Sequence, residues 1–155
     1  MLRISKMTDY ATVLLARLAA APELQLTAAQ LAAQTHLAPT TVAKVLKQLH
    51  RRGLVISTLG LRGGYRLARP AAEITAAQVL DALEGPVALI ECARHTHQCS
   101  IESTCGVGRA WQRVNQAIRR SLSEITLVEL SGLGGNPVRF AALEKSLRAG
   151  RTERS

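Results

Sequence analysis

Residues 27–53 are punctuated so closely that the chain has little choice there but two short helices joined by a turn. Thr27-Ala-Ala-Gln30 has the capping-box pattern, in which the Thr hydroxyl accepts from the backbone while the Gln side chain reaches back. The helix it opens stops near Thr35-His36. Pro39 suits the first turn of a following helix, where its missing N–H is not needed. In that second helix, PTTVAKVLKQLHRRG, the residues Val42, Val45, Leu46 and Leu49 point inward. Thr40, Thr41, Lys44, Lys47, Arg51 and Arg52 point outward, and Gly53 is a natural stop.

Two short helices, the second basic on its exposed side, form a helix-turn-helix. After Gly53 come LVIST, GLRGG and YRLA, a β-hairpin whose glycine-rich loop is tipped with arginine, that is, a wing. Upstream, TDYATVLLARLAA sets Tyr10, Val13, Leu14 and Leu18 on one face of a core helix that ends at Pro22. With 47% hydrophobic residues but only 3% aromatic, the core must be built from Leu, Val, Ile and Ala, a composition that favours helix.

The net charge of +9 is lopsided. Residues 1–70 carry ten Lys/Arg against Asp9 and Glu23, a net +8, whereas residues 71–155 are nearly balanced at +1. A charged helix face usually only solubilises. Here the turn, the wing glycines and the positive excess agree on a polyanion partner, a double-stranded DNA operator. Thr40 and Thr41 stand where a recognition helix enters the major groove. Lys44 and Lys47, three apart, share a face toward phosphates or base edges, with Arg51 further along. Arg62, Tyr65 and Arg66 belong to the wing, whose arginines can reach the backbone or a narrow minor groove.

In the second half Thr75-Ala-Ala-Gln78 repeats the capping-box signal, and Gly85-Pro86 closes the helix it opens. PVALIEC then runs into a loop holding the chain's three cysteines, Cys92, Cys99 and Cys105. Soft thiolates select zinc, copper(I) and iron–sulfur clusters, and three are one short of a closed four-coordinate site. His95 and His97 lie between the first two cysteines and read as exposed loop residues, although with the thiols they suffice for tetrahedral zinc. Plain redox-sensing thiols are the third possibility. Beyond Cys105 a long helix carries Val107, Trp111, Val114, Ile118, Leu122 and Ile125 in a stripe of coiled-coil-like spacing, read as a homodimer seam.

The expectation is a mainly α chain in three parts. Residues 1–70 form a winged helix-turn-helix with a small β-hairpin wing. Residues 71–131 hold the sensor loop and a long C-terminal dimerisation helix, and residues 132–155 a polar, mobile tail. No CxxC pair, phosphate loop, HExxH or nucleophile elbow is present, so an enzyme is not expected. No run approaches the ~20 apolar residues of a membrane span, and nothing at the N-terminus reads as a signal. A cytoplasmic protein with reduced thiols is therefore expected.

Taken in order, LRISKMTDYATVLL, GLVIS, GGYRLARP, ITAAQVLDALEGPVALIEC, the spaced cysteines and WQRVNQAIRRSLSEITLVEL resemble the winged-helix iron–sulfur and nitric-oxide regulators that include IscR and NsrR. Within these the chain most resembles the SUF-system regulators of cluster assembly, over roughly residues 1–130. The resemblance implies a homodimeric repressor whose three cysteines hold an iron–sulfur cluster, [2Fe-2S] or [4Fe-4S], and whose operator affinity changes with cluster occupancy. It implies the SUF operon as target. The alternatives are a nitric-oxide or redox sensor acting on another operon, or a zinc-bound version of the fold. Two positions depart from the pattern. IscR-like members place a ligating His three residues after the last Cys, where this chain has Gly108. NsrR-like members can use an Asp near the start of the first helix of the partner subunit, and Asp9 stands in the matching TDY context. That makes Asp9 the candidate fourth ligand, with His95, His97 and water as alternatives; as an ordinary acid it would simply suit the helix dipole. The second departure is Leu59, where many relatives carry a wing arginine that Arg62 would replace.

Overall fold

The computed structural model describes residues 4–86 and 106–134. In chain order these form α1 (Lys6–Ala19), α2 (Ala28–Thr35), α3 (Pro39–Arg51), β1 (Val55–Thr58), β2 (Gly64–Leu67), a 3₁₀ turn (Ala71–Glu73), α4 (Ala76–Leu83), α5 (Gly106–Glu124) and α6 (Leu127–Leu130). The architecture is mainly helical with a two-stranded antiparallel hairpin.

Caps decide the boundaries. Thr27 and Gln30 form a complete capping box on α2, and Thr75 and Gln78 another on α4. His36 closes α2 in the left-handed conformation, at φ 58°, turning the chain toward α3. Pro39 occupies the first turn of α3, and Gly53 follows its end at φ 70°.

The core lies where α1, α2, α3 and α4 converge. Val42, Val45, Leu46 and Leu49 of α3 are fully buried, as the periodicity predicts, together with Leu14, Leu15, Leu18, Leu31, Val55 and Ile74. On α1 the inward face is Ala11, Leu14, Leu15 and Leu18, with Tyr10 only half-buried; Val13 is turned outward and 42% exposed. The small Ala11 lets neighbouring helices approach the α1 backbone, and that rotates the buried face away from Val13.

Two features at the end of the described chain differ from the expectation. The long helix stops at Glu124, so Ile125 is not part of its stripe. Instead the backbone there pairs with the start of α4: Ala76 N–H donates to Ile125 O at 2.8 Å, and Leu127 N–H to Ile74 O at 2.7 Å. Thr126 and Glu129 then form a third complete capping box, opening the short α6, which packs on α1 and buries Leu127.

Candidate nucleic-acid interface and sensor region

Recognition begins with how α3 is presented. Its N-cap is Ala38, and no side chain caps it, in contrast to the boxes on α2, α4 and α6. The first intrahelical bond runs from Val42 N–H to Ala38 O. The N–H groups of Thr40 and Thr41 therefore face outward without a partner among the described residues, as donors suited to phosphate oxygens. Sequence reasoning missed this opening, although the absence of Ser, Thr, Asp or Asn at residue 38 signals it.

Along α3, Thr40, Lys44, Lys47 and Arg51 are exposed and Thr41 half-buried, so one solvent-facing side carries hydroxyls first and cations after. Behind it Arg17 Nε donates to Gln34 Oε1 at 2.6 Å, locking α1 to α2. A shallow recess of about 240 Å³ beside the end of α3 is lined by Arg52, Leu54, Arg69, Gln78, Asp81 and Ala82.

The hairpin pairs Val55 with Leu67, Ile56 with Arg66, Ser57 with Tyr65 and Thr58 with Gly64. Directly paired residues share a face, so Val55, Ser57, Tyr65 and Leu67 lie on one side and Ile56 with Arg66 on the other. Arg66 is exposed, while Tyr65 is half-buried and packs its ring against the core. The Tyr65 backbone also anchors the wing: its N–H donates to Leu26 O at 2.8 Å and its C=O accepts from Leu26 N–H at 3.0 Å. Any side chain at Gly64 would meet the Leu26 backbone at 2.9 Å, so that close approach needs glycine. Arg62 sits exposed in the loop at the hairpin's tip.

Cys92, Cys99 and Cys105, the predicted sensor residues, with His95 and His97, lie outside the described residues, as does the tail from residue 135 onward. Among the described residues no group of three His, Cys, Asp or Glu is gathered to hold a metal. The two flanks of the cysteine segment are described. At its start, Glu84 at the end of α4 accepts from Ser5 N–H at 3.2 Å and from the Thr8 hydroxyl, joining the end of α4 to the start of α1. Hydrogen bonds from Ser5 and then Thr8 hold the Glu84 carboxyl below its ordinary range. Asp9, one residue beyond Thr8, is exposed in the first turn of α1. At the far flank α5 begins at Gly106, directly after Cys105, with Gly108 in its first turn.

α5 is held to α4 by a two-pronged ion pair, Arg119 Nη1 to Asp81 Oδ1 at 3.1 Å and Nη2 to Oδ2 at 2.6 Å. That bond raises the guanidinium's already high pKa. Trp111 and Val114, 44% and 42% exposed, leave the predicted stripe open to solvent, with Ile118 and Leu122 half-buried beside them. No described helix is long and apolar enough to cross a membrane.

Comparison with known proteins agrees with this architecture. Residues 4–132 match the Rrf2 family, described as an iron-dependent transcriptional regulator. A helix-turn-helix-type transcriptional regulator of Mycobacterium tuberculosis is 32% identical over 149 residues, spanning 96% of this chain and 92% of that one. Protein aau3 of Rhizobium meliloti is 32% identical over 130 residues, 83% of this chain and 84% of its own. Among solved structures, CymR of B. subtilis, titled the global cysteine regulator, superposes with a TM-score of 0.66 at 26% identity, covering 86% of this chain and 98% of CymR. IscR of T. potens superposes at 0.60 with 25% identity, covering 82% and 84%. The uncapped basic helix, the anchored wing and a match over nearly all described residues lead to one assignment: this chain belongs to the Rrf2 family of transcriptional regulators.

Proposed function

We propose that the protein is a homodimeric repressor that reads an operator with α3 and the wing and senses iron–sulfur cluster status through Cys92, Cys99 and Cys105, controlling a SUF-type cluster-assembly operon. The carrying observation is the exposed run of Thr40, Lys44, Lys47 and Arg51, with half-buried Thr41 beside it, on a helix with no N-terminal side-chain cap. Such a helix offers backbone donors for phosphate and side chains for base edges on the same side. Arg62 and Arg66 add wing contacts, while Tyr65 serves by anchoring the wing. The family's description as iron-dependent and the likeness to IscR support the cluster.

Of the proposed ligands only Asp9 is among the described residues, and it fits the role. Its carboxylate is exposed in the first turn of α1, open to a second copy of the chain, and the turn is braced by Glu84. When bound, the cluster would supply a redox- and iron-responsive charge held by three thiolates and the carboxylate. Asp9 of the partner subunit would close the site and fasten the cysteine segment to the opposite α1. Whichever occupancy binds the operator better is stabilised by it in turn. The long α5 with its open Trp111 and Val114 supplies the seam between subunits.

Anaerobic purification, absorption spectra and iron and sulfide analysis test the cofactor, and DNA titration of loaded and stripped protein tests the coupling. Expected are a coloured protein and an operator affinity that differs between the two states. Asp9→Ala should weaken cluster retention and shrink that difference. Normal loading with unchanged coupling would remove Asp9 from the site. The likeness to CymR favours a second reading in which the thiols act without a cluster; a colourless protein whose DNA affinity follows thiol oxidation would establish it.

A further inference from the structure

The tip of the wing carries two side chains that neither the fold nor the reading above uses. Leu59 and Leu61 are 97% and 109% exposed, while no other large hydrophobic among the described residues exceeds 58%. Single exposed leucines are ordinary. Two of them, bracketing one glycine at the end of a hairpin, are a surface.

That surface is held in shape. Gly63 N–H donates to Gly60 O at 2.9 Å, closing the tip, and Gly60 lies at φ 111°. A Cβ at Gly63 would stand 2.3 Å from Thr58 O, so the turn tolerates no side chain there. Just below the tip, the hairpin is tied to Leu26 through Tyr65. Nothing in this turn demands leucine; Ser, Asn or Lys would fit a solvent-exposed tip as well. The adjacent Arg62 and Arg66 are exposed, so the leucines project from a cationic hairpin. An apolar tip flanked by cations complements a surface anionic at its rims and less polar within. The minor groove of DNA is one, with phosphates outside and sugar C–H walls inside.

We propose that Leu59 and Leu61 pack against the deoxyribose walls of an operator's minor groove while Arg62 reaches the base-edge acceptors between them. The tip thereby selects groove segments that lack guanine's exocyclic amino group. The inference rests on the DNA-binding reading and deepens it. In the minor groove a G·C pair differs by that amino donor, which an apolar tip leaves buried and unpaired, whereas A·T presents acceptors that Arg62 can satisfy.

The test uses the full chain and a duplex selected by it from a random-sequence library, with the wing segment located by hydroxyl-radical footprinting. That segment is then made A·T, G·C or inosine·C, the last keeping the major-groove face of G·C while removing the amino group. Wild type should bind the A·T and inosine·C duplexes alike and the G·C duplex about tenfold more weakly. Leu59→Ser/Leu61→Ser should lose about tenfold on the first two, a fraction of full leucine burial, and no longer distinguish the three. Its salt dependence should stay as in wild type, since no cation is removed. Circular dichroism verifies the fold, which these exposed positions do not support. A double variant with wild-type affinity and discrimination overturns the proposal. So does one that keeps both but no longer binds phosphatidylglycerol vesicles, which would assign the tip to a membrane surface. Lys44→Ala/Lys47→Ala separates the two levels. If it weakens binding while the leucine variant does not, only the tip assignment falls. If it has no effect, or wild type selects no duplex, the DNA-binding reading falls and takes this one with it.

Discussion

Glu84 shows how much one surface carboxylate can organise. It accepts from Ser5 N–H and the Thr8 hydroxyl, so the end of α4 reinforces the cap that the Ser5 side chain places on α1. Its pKa is lowered by those bonds, first Ser5 and then Thr8. A folded-state pKa below the unfolded value means stability that is present above the ordinary carboxylate range and lost as pH falls through the folded pKa. Glu84→Gln should therefore destabilise the protein at pH 7 by no more than about 1 kcal/mol, the pair being open to solvent. The difference from wild type should shrink as pH falls through the folded carboxyl's pKa, which urea denaturation at neutral and acidic pH measures. Equal differences at both would mean that shape rather than charge makes the contact. The same bond fixes the turn that carries Asp9, so this variant also asks whether the candidate ligand needs its neighbour's support.

At the level of elements, the residues that set boundaries were readable from sequence and the residues that choose faces were less so. Capping boxes at Thr27 and Thr75, Pro39 and Gly53 act within a few residues of themselves, and each lies where its local chemistry requires. The face of α1 depends on what packs against it. In the apolar run ATVLLARLAA several stripes are available, and contact with α2, α3, α4 and α6 selects Ala11 and Leu15 over Val13. The box at Thr126 and Glu129 was equally legible but lay inside what reads as one continuous helix. For the cysteine site, sequence supplies the donors, their spacing and the candidate Asp9, while the fold contributes the flanks described above. The wing offers a test of element-level reasoning. Gly63→Ala puts a methyl group against Thr58 O, so the tip must open while the core, which contains no tip residue, stays intact. A melting temperature within a few degrees of wild type, together with a clear loss of DNA affinity, is expected; unchanged affinity would mean that the wing does not read DNA.

At the level of the whole molecule, the proposed dimer would link assembly to recognition through α5. Trp111 and Val114 are too exposed in one chain for an apolar stripe of this length, and a second copy of the same stripe covers both in the proposed dimer. Val114→Asp should give a monomer in sedimentation and, because two recognition helices would no longer engage together, lose operator affinity by about a hundredfold. Retained dimerisation in this variant would place the seam elsewhere. Trp111, the chain's single tryptophan, should shift its emission to shorter wavelength as wild type associates, giving a reading that needs no label.

The bonds from Ala76 to Ile125 and from Leu127 to Ile74 have a consequence for how such a chain can change. Everything between the two ends of α4's contacts is an excursion that departs after Glu84 and returns beside Thr75, on one eight-residue helix. Departure and return are separated by only the length of that helix, about 12 Å, a gap that some five extended residues can span. If the cysteine segment senses as proposed, sensing is spliced into the reader as a cassette that leaves and rejoins the core on a single helix.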